Sequence, residues 1–131
     1  KTSDNPSIIN LSSAAGKFGF TYRSAYAAAK WGIIGFTKTI SRELGPFGIR
    51  CNAILPGVVQ GERIKRVISA KADTLGKRYE EVEADLLAAA SIKEMIDPDQ
   101  LADMMLLLAS TKGRTVSGQA ISIDSDLQML V

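Results

Sequence analysis

Apolar and polar positions fall into blocks along this chain, and the period of each block predicts an element. "SIINLS" (7–12) is a short apolar run behind Pro6 and predicts a buried strand. "SAAGKFGFTYR" (13–23) carries two glycines and reads as a loop. From Ser24 to about Leu44 no proline interrupts a stretch rich in helix formers, which predicts a long helix with Ser24 as its N-cap. "GPFG" (45–48) stops it. "IRCNAIL" (49–55) predicts a second strand, and "PGVVQG" (56–61) a loop. In "ERIKRVISAKADTLG" (62–76), Ile64, Val67, Ile68 and Ala72 recur at helical spacing. "EEVEADLLAAAS" (80–91) predicts another helix. A last helix starts at Asp97–Pro98 and runs through "DQLADMMLLLAS"; it is apolar nearly all round, so deep burial is expected. "QAISID" (119–124) predicts a third strand.

The order is strand, helix, strand, helices, strand. Connections of this length imply parallel pairing through right-handed crossovers, an α/β layered architecture. Three parallel strands are few for such a sheet, and the edge at "SIINLS" is long and apolar.

Composition narrows the function. The 131 residues suit one domain, and 46% hydrophobic content suits a globular one. A net charge of +2 with scattered basic residues argues against a nucleic-acid partner. No apolar run approaches the roughly 18 residues of a membrane span. No signal peptide is visible, so a cytoplasmic protein with no membrane partner is expected. Cys51 is the single cysteine, which excludes an internal disulfide; in its apolar run it reads as a small buried side chain. The chain contains no histidine, which removes His triads, His general bases and most zinc sites. Chemistry here has to use Ser, Tyr, Lys, Asp or Glu, and no metal is expected.

"SAYAAAKWG" (24–32) places Tyr26 and Lys30 four residues apart, on one face of the predicted helix. A phenol ordinarily keeps its proton to about pH 10, and a cation a few ångströms away favours the phenolate. The pair is therefore a reasonable proton-transfer device, although the same spacing is common on plain helix surfaces. Its surroundings strengthen the functional reading. The first strand ends at Ser12 and Ser13, thirteen residues before Tyr26. In a parallel sheet, ligands bind beyond the carboxyl ends of the strands, where the following helix begins. The "PGVV" loop opens at that same edge, and its Pro and Gly allow a rigid turn with close backbone approach to a ligand.

"IINLSSAAG", "SAYAAAKWGIIGFTKTISREL", "GIRCNAILPGVV" and "SGQAISID" together resemble the C-terminal half of a short-chain dehydrogenase/reductase, from Ser7 to about Met129. The resemblance implies a Rossmann-type doubly wound parallel sheet, with residues 1–131 as the C-terminal half of one such domain. It implies that Ser13 hydrogen-bonds the substrate carbonyl or hydroxyl, while Ser12 faces the strand packing. It implies that Tyr26 is the general acid/base, and that Lys30 binds the nicotinamide ribose and assists Tyr26. Pro56, Gly57, Val58 and Val59 match the segment flanking the nicotinamide. The implied reaction is hydride transfer between NAD or NADP and a small-molecule carbonyl/alcohol pair, in a homo-oligomer joined through the helix that carries Tyr26.

Some parts of the family pattern are missing from this sequence. There is no glycine-rich phosphate loop, no residue that selects NAD over NADP, and no tetrad asparagine. The expectation is a fragment, or a truncated relative, that alone lacks a pyrophosphate site. Gly61 stands where the family usually has a threonine. Ser125 and Asp126 replace a glycine pair, at a point where glycine permits an unusual backbone angle. The cations Arg63, Lys65, Arg66, Lys71, Lys77 and Arg78 read as a solvated helix face more readily than as an anion site. The Asn10-Leu-Ser sequon reads as buried strand, and the Ala and Met runs at 87–90 and 101–109 as core. The alternative to an enzyme is a non-catalytic assembly or binding module. A Ser/Lys hydrolase does not fit, because neither Ser-x-x-Lys nor G-x-S-x-G stands in the chain.

Overall fold

The computed structural model describes residues 3–130. Its strands are β1 (Ser7–Leu11), β2 (Arg50–Pro56) and β3 (Ala120–Ile123); its helices are α1 (Ser24–Leu44), α2 (Glu62–Leu75), α3 (Tyr79–Leu87) and α4 (Pro98–Ala109). The strands form one parallel sheet in the order β1-β2-β3, with Ser7 opposite Arg50 and Ala53 opposite Ala120. The predicted α/β sheet is present, and each strand lies within a residue or two of its predicted ends.

β2 is the middle strand and is buried from Arg50 to Leu55. Two of its buried side chains are polar, and both are paired. Asn52 donates to the Val116 carbonyl (2.8 Å) and accepts from the Gln119 amide (3.0 Å), which guides the chain into β3. The Arg50 guanidinium donates to the carbonyls of Leu108 and Gly113 and to Asn5 Oδ1. It thereby serves carbonyls at and beyond the C-terminal end of α4, where a cation is also favoured by the helix dipole.

Side chains alternate across a strand, so their partners reveal which helix covers which face. Asn10 donates to Thr37 Oγ1 of α1 (2.9 Å) and points toward the Cys51 sulfur (3.7 Å). Ser7, of opposite parity to Asn10 on β1, and its cross-strand partner Arg50 both reach the Leu108 carbonyl of α4. Helices α1 and α4 therefore lie on opposite faces, and the sheet is doubly wound. The links β1-α1-β2 and β2-α4-β3 move the same way across the sheet on opposite faces, so they have opposite hands. The expectation that both are right-handed is corrected. The hand rule comes from compact strand-helix-strand units, and the second link wanders through α2 and α3 before it returns.

Two element-level expectations also change. Deep burial of α4 is not observed: Leu108 is buried, while Leu106 and Leu107 are 67% and 44% exposed. A helix lying on β1 and β2 presents one stripe to them, and no other described element covers its far side. Its start is as expected: Asp97 and Gln100 form a capping box, with Pro98 in the first turn. Ser24 is not the N-cap of α1 but its first residue; Arg23 takes the cap position without a side-chain bond. A backbone turn, Arg23 N–H to the Phe20 carbonyl (3.1 Å) with Tyr22 at φ 60°, delivers the chain instead. Helices α2 and α3 form a hairpin around Ile68, Ala72 and Val82, with Val67 left half-exposed. Gly76, at φ 63°, ends α2. Lys77 and Asp85 clip the hairpin at 2.7 Å, and the hydrogen bond from Lys77 holds the Asp85 carboxyl below its ordinary range.

Candidate active site

All three strands deliver their exit loops to one edge of the sheet, and the residues singled out from the sequence gather there. β1 ends at Leu11. Ser12 is buried and its hydroxyl donates to the Lys30 carbonyl (2.7 Å), which sews the strand end to α1. Gly16 makes this closeness possible. A Cβ there would stand 2.5 Å from Ser12 Oγ and 2.8 Å from Ile34 Cδ1.

Ser13 caps a 3-10 turn, Ala14–Gly16, and its Oγ accepts from the Ala15 amide at 3.1 Å. That bond uses an acceptor lone pair and leaves the hydroxyl proton to be donated elsewhere. Tyr26 lies in the first turn of α1, 39% exposed, with its ring edge-on to Phe20 at 6.3 Å between centroids. Lys30 follows one turn later. Its Nζ lies 5.6 Å from the Tyr26 ring centroid and donates to the Leu11 carbonyl at 3.1 Å. Tyr26 and Lys30 are thus brought together, and Lys30 is moored two residues ahead of Ser13. Among the described residues Ser13 makes no hydrogen bond to Tyr26 or Lys30.

Pro56 closes β2, and the loop after it is held on both sides. Gly57 donates to the Ile123 carbonyl (2.9 Å), Val58 accepts from the Ile96 amide (2.8 Å), and Val59 forms a parallel bridge with Ile96. The close approach that Gly57 permits is to the backbone and Cβ of Asp124, at 2.7 to 2.8 Å from an added Cβ. The side of Gly57 that a Cβ would occupy is thus filled by the residue after β3. Gly61, at φ 150°, precedes α2 in a conformation unsuited to a threonine. Ser125 and Asp126 adopt φ 56° and 55°, so the unusual backbone angle is present without glycine.

A cavity of about 820 Å³ starts beside this loop at Gln60 and runs under α3 past Glu83, Leu87, Glu94 and Met95. None of Ser13, Tyr26, Lys30 or Pro56–Val59 lines it, so the Tyr26–Lys30 pair lies outside it. Among the described residues no cluster of His, Cys, Asp or Glu is built to hold a metal ion. None of the described helices is long and apolar enough to cross a membrane.

Sequence reasoning missed Gly16, Phe20, Lys17 and Asp124. Lys17 Nζ lies 2.6 Å from Asp124 Oδ2, an oxygen that is buried and has no aligned hydrogen bond among the described residues. The signal for Gly16 was its place three residues after Ser13. Nothing local marks Lys17 and Asp124 as partners, because they meet only through the fold.

The chain resembles known proteins over nearly its whole length. The family described as Enoyl-(Acyl carrier protein) reductase matches residues 1–126. A rat (Rattus norvegicus) protein named (3R)-3-hydroxyacyl-CoA dehydrogenase is 36% identical over 123 residues, which is 94% of this chain and 43% of that protein. A solved actinorhodin polyketide ketoreductase with NADPH superimposes with a TM-score of 0.83 at 30% identity, over 91% of this chain and 46% of that one. A 4-hydroxyisoleucine dehydrogenase complexed with NADH gives 0.80 at 28% identity, over 92% and 46%. The chain therefore spans about half the length of the relatives it matches. With the doubly wound sheet, the Ser13 turn, the Tyr26–Lys30 pair and this match over nearly its whole length, the chain belongs to the short-chain dehydrogenase/reductase family.

Proposed function

We propose that this chain carries the proton-transfer and nicotinamide-facing half of an NAD- or NADP-dependent oxidoreductase that interconverts a carbonyl and an alcohol. The observation that carries the reading is Lys30, moored on Leu11 and facing the Tyr26 ring, at the edge of the sheet where Ser13 and Gly57 emerge. The groups present suit the cofactor's ribose end. Lys30 Nζ uses one of its three donors on Leu11, and the Tyr26 hydroxyl has no hydrogen-bond partner among the described residues. Lys30 would hold the ribose hydroxyls, and Pro56–Val59 would flank the nicotinamide. The bound dinucleotide would supply or accept the hydride.

In the reducing direction the Tyr26 hydroxyl gives its proton to the substrate oxygen, and in the oxidising direction Tyr26 takes it back. Ser13 donates to the same oxygen with the proton that the Ala15 contact leaves unused. Tyr26→Phe removes only the hydroxyl. In the full-length protein, on any carbonyl it reduces, this substitution is expected to lower kcat by about 10² to 10⁴, the usual worth of a positioned acid/base, with the circular-dichroism spectrum unchanged. Turnover within threefold of the parent would remove Tyr26 from the role.

Association through α1 belongs to the same reading. Ala25, Ala28, Gly32, Gly35, Phe36 and Thr39 share the helix face turned away from the sheet, and all are exposed. Small residues around one aromatic allow a second copy of the helix to approach closely.

A further inference from the structure

We propose that the Lys17–Asp124 ion pair is a positioning device that fixes the Ser13 turn against the loop carrying Gly57. The inference rests on the reading of Ser13 and Pro56–Val59 given above. Lys17 closes the 3-10 turn that Ser13 opens: its amide donates to the Ala14 carbonyl (3.0 Å), while Gly16 N–H donates to Ser13 O (2.8 Å). Asp124 is the first residue after β3 and is buried. β1 and β3 are separated by β2, roughly 9.6 Å apart at ordinary strand spacing, a gap that the Lys17 and Asp124 side chains close together. The middle strand's own exit residue, Gly57, lies against Asp124 because it has no Cβ.

One residue, Asp124, therefore touches the loops of two other strands: its carboxylate meets Lys17 by charge, and its backbone and Cβ pack on Gly57. The next residues extend the hold. Ile92 N–H donates to the Ser125 carbonyl (3.1 Å), Ser91 N–H to the Asp126 carbonyl (3.2 Å), and Leu127 packs on Ala14 and Ala90. Asp124 Oδ2 has no aligned hydrogen bond among the described residues, so Lys17 is what compensates its burial.

A contact that only held the fold together would change stability and the folded fraction. A positioning contact also changes turnover per folded molecule and the local order of the Ser13 turn. Asp124→Asn is the first variant to test, because it removes the pair without leaving a buried charge alone; Lys17→Met is the second. In the full-length protein each is expected to lower kcat per folded molecule about tenfold, the size expected from slight misplacement of a group. The dissociation constant for the dinucleotide should stay within twofold. Amide exchange at Ala15 and Gly16 should quicken about tenfold under native conditions. Lys17→Arg keeps the charge and should restore both values to within threefold of the parent. Unchanged exchange at Ala15 and Gly16 in Asp124→Asn would overturn the proposal, as would activity loss that merely tracks the unfolded fraction. Ser13→Ala separates the two layers. If it leaves kcat intact, the role of Ser13 falls, and the exchange measurement still decides whether Lys17 and Asp124 hold its turn.

Discussion

A methyl group added at Gly57 would stand 2.7 Å from Asp124 Cα and 3.2 Å from its carbonyl oxygen. Neither atom belongs to a flexible side-chain tip, so the backbone has to move. Gly57→Ala is expected to cost about 1 to 3 kcal/mol, the usual range for overpacking, read as a lower urea midpoint. A loss under about 0.5 kcal/mol would mean that this loop yields freely. Cys51 gives a pH prediction. It is fully buried on β2, and burial pushes its thiol pKa up from the ordinary 9.0. A raised folded value means that its contribution is fully present below the unfolded thiol pKa and is lost as pH rises through the folded one. The urea midpoint of the parent should therefore fall more steeply above about pH 9 than that of Cys51→Ala, and a thiol reagent should label native Cys51 only after denaturant is added. Equal pH slopes, or rapid native labelling, would contradict this.

Helix α1 shows best how an element divides between structure and function. Its sheet face carries Thr37, bonded to Asn10 and to the Ile33 carbonyl, and Lys30, moored on β1. Its outer face carries the small-residue stripe with Phe36, 57% exposed. Phe36→Glu places a charge at the centre of the proposed helix-to-helix contact, where desolvation would penalise it. The full-length protein is expected to shift to a smaller species in light scattering, while its circular dichroism is retained. An unchanged molar mass would exclude α1 as the contact. The extent of this helix, its stop and its Tyr-Lys face were legible from spacing. Its start was not, because the turn at Tyr22 is a backbone event with no capping side chain to announce it.

Across the whole molecule, binding energy for a dinucleotide is unevenly placed. Such ligands are held chiefly at the pyrophosphate, by backbone N–H groups and a helix N-terminus. Residues 3–130 offer Tyr26, Lys30 and the Pro56–Val59 loop, which face only the nicotinamide end in this reading. A few hydrogen bonds, each worth about 1 to 3 kcal/mol, must first offset association costs of several kcal/mol. A polypeptide of residues 1–131 is thus expected to bind NAD or NADP at about millimolar or weaker. Titration calorimetry on a monodisperse sample checks this, and micromolar affinity would require a phosphate site within these residues.

What the sequence determined is what short-range physics encodes. Apolar period gave three strands and four helices. The i, i+4 spacing put Tyr26 and Lys30 on one face. The length of the connections gave the parallel sheet, and the run of matching segments gave the family. What the tertiary structure decided depends on residues distant in the chain. The opposite hands of the two crossovers follow from which face α4 covers. The exposure of α4 follows from how few strands lie beneath it. The meeting of Lys17 with Asp124 over Gly57 follows from strand order. No local periodicity carries that information, because these contacts join segments that only the closed sheet brings within a side chain's length.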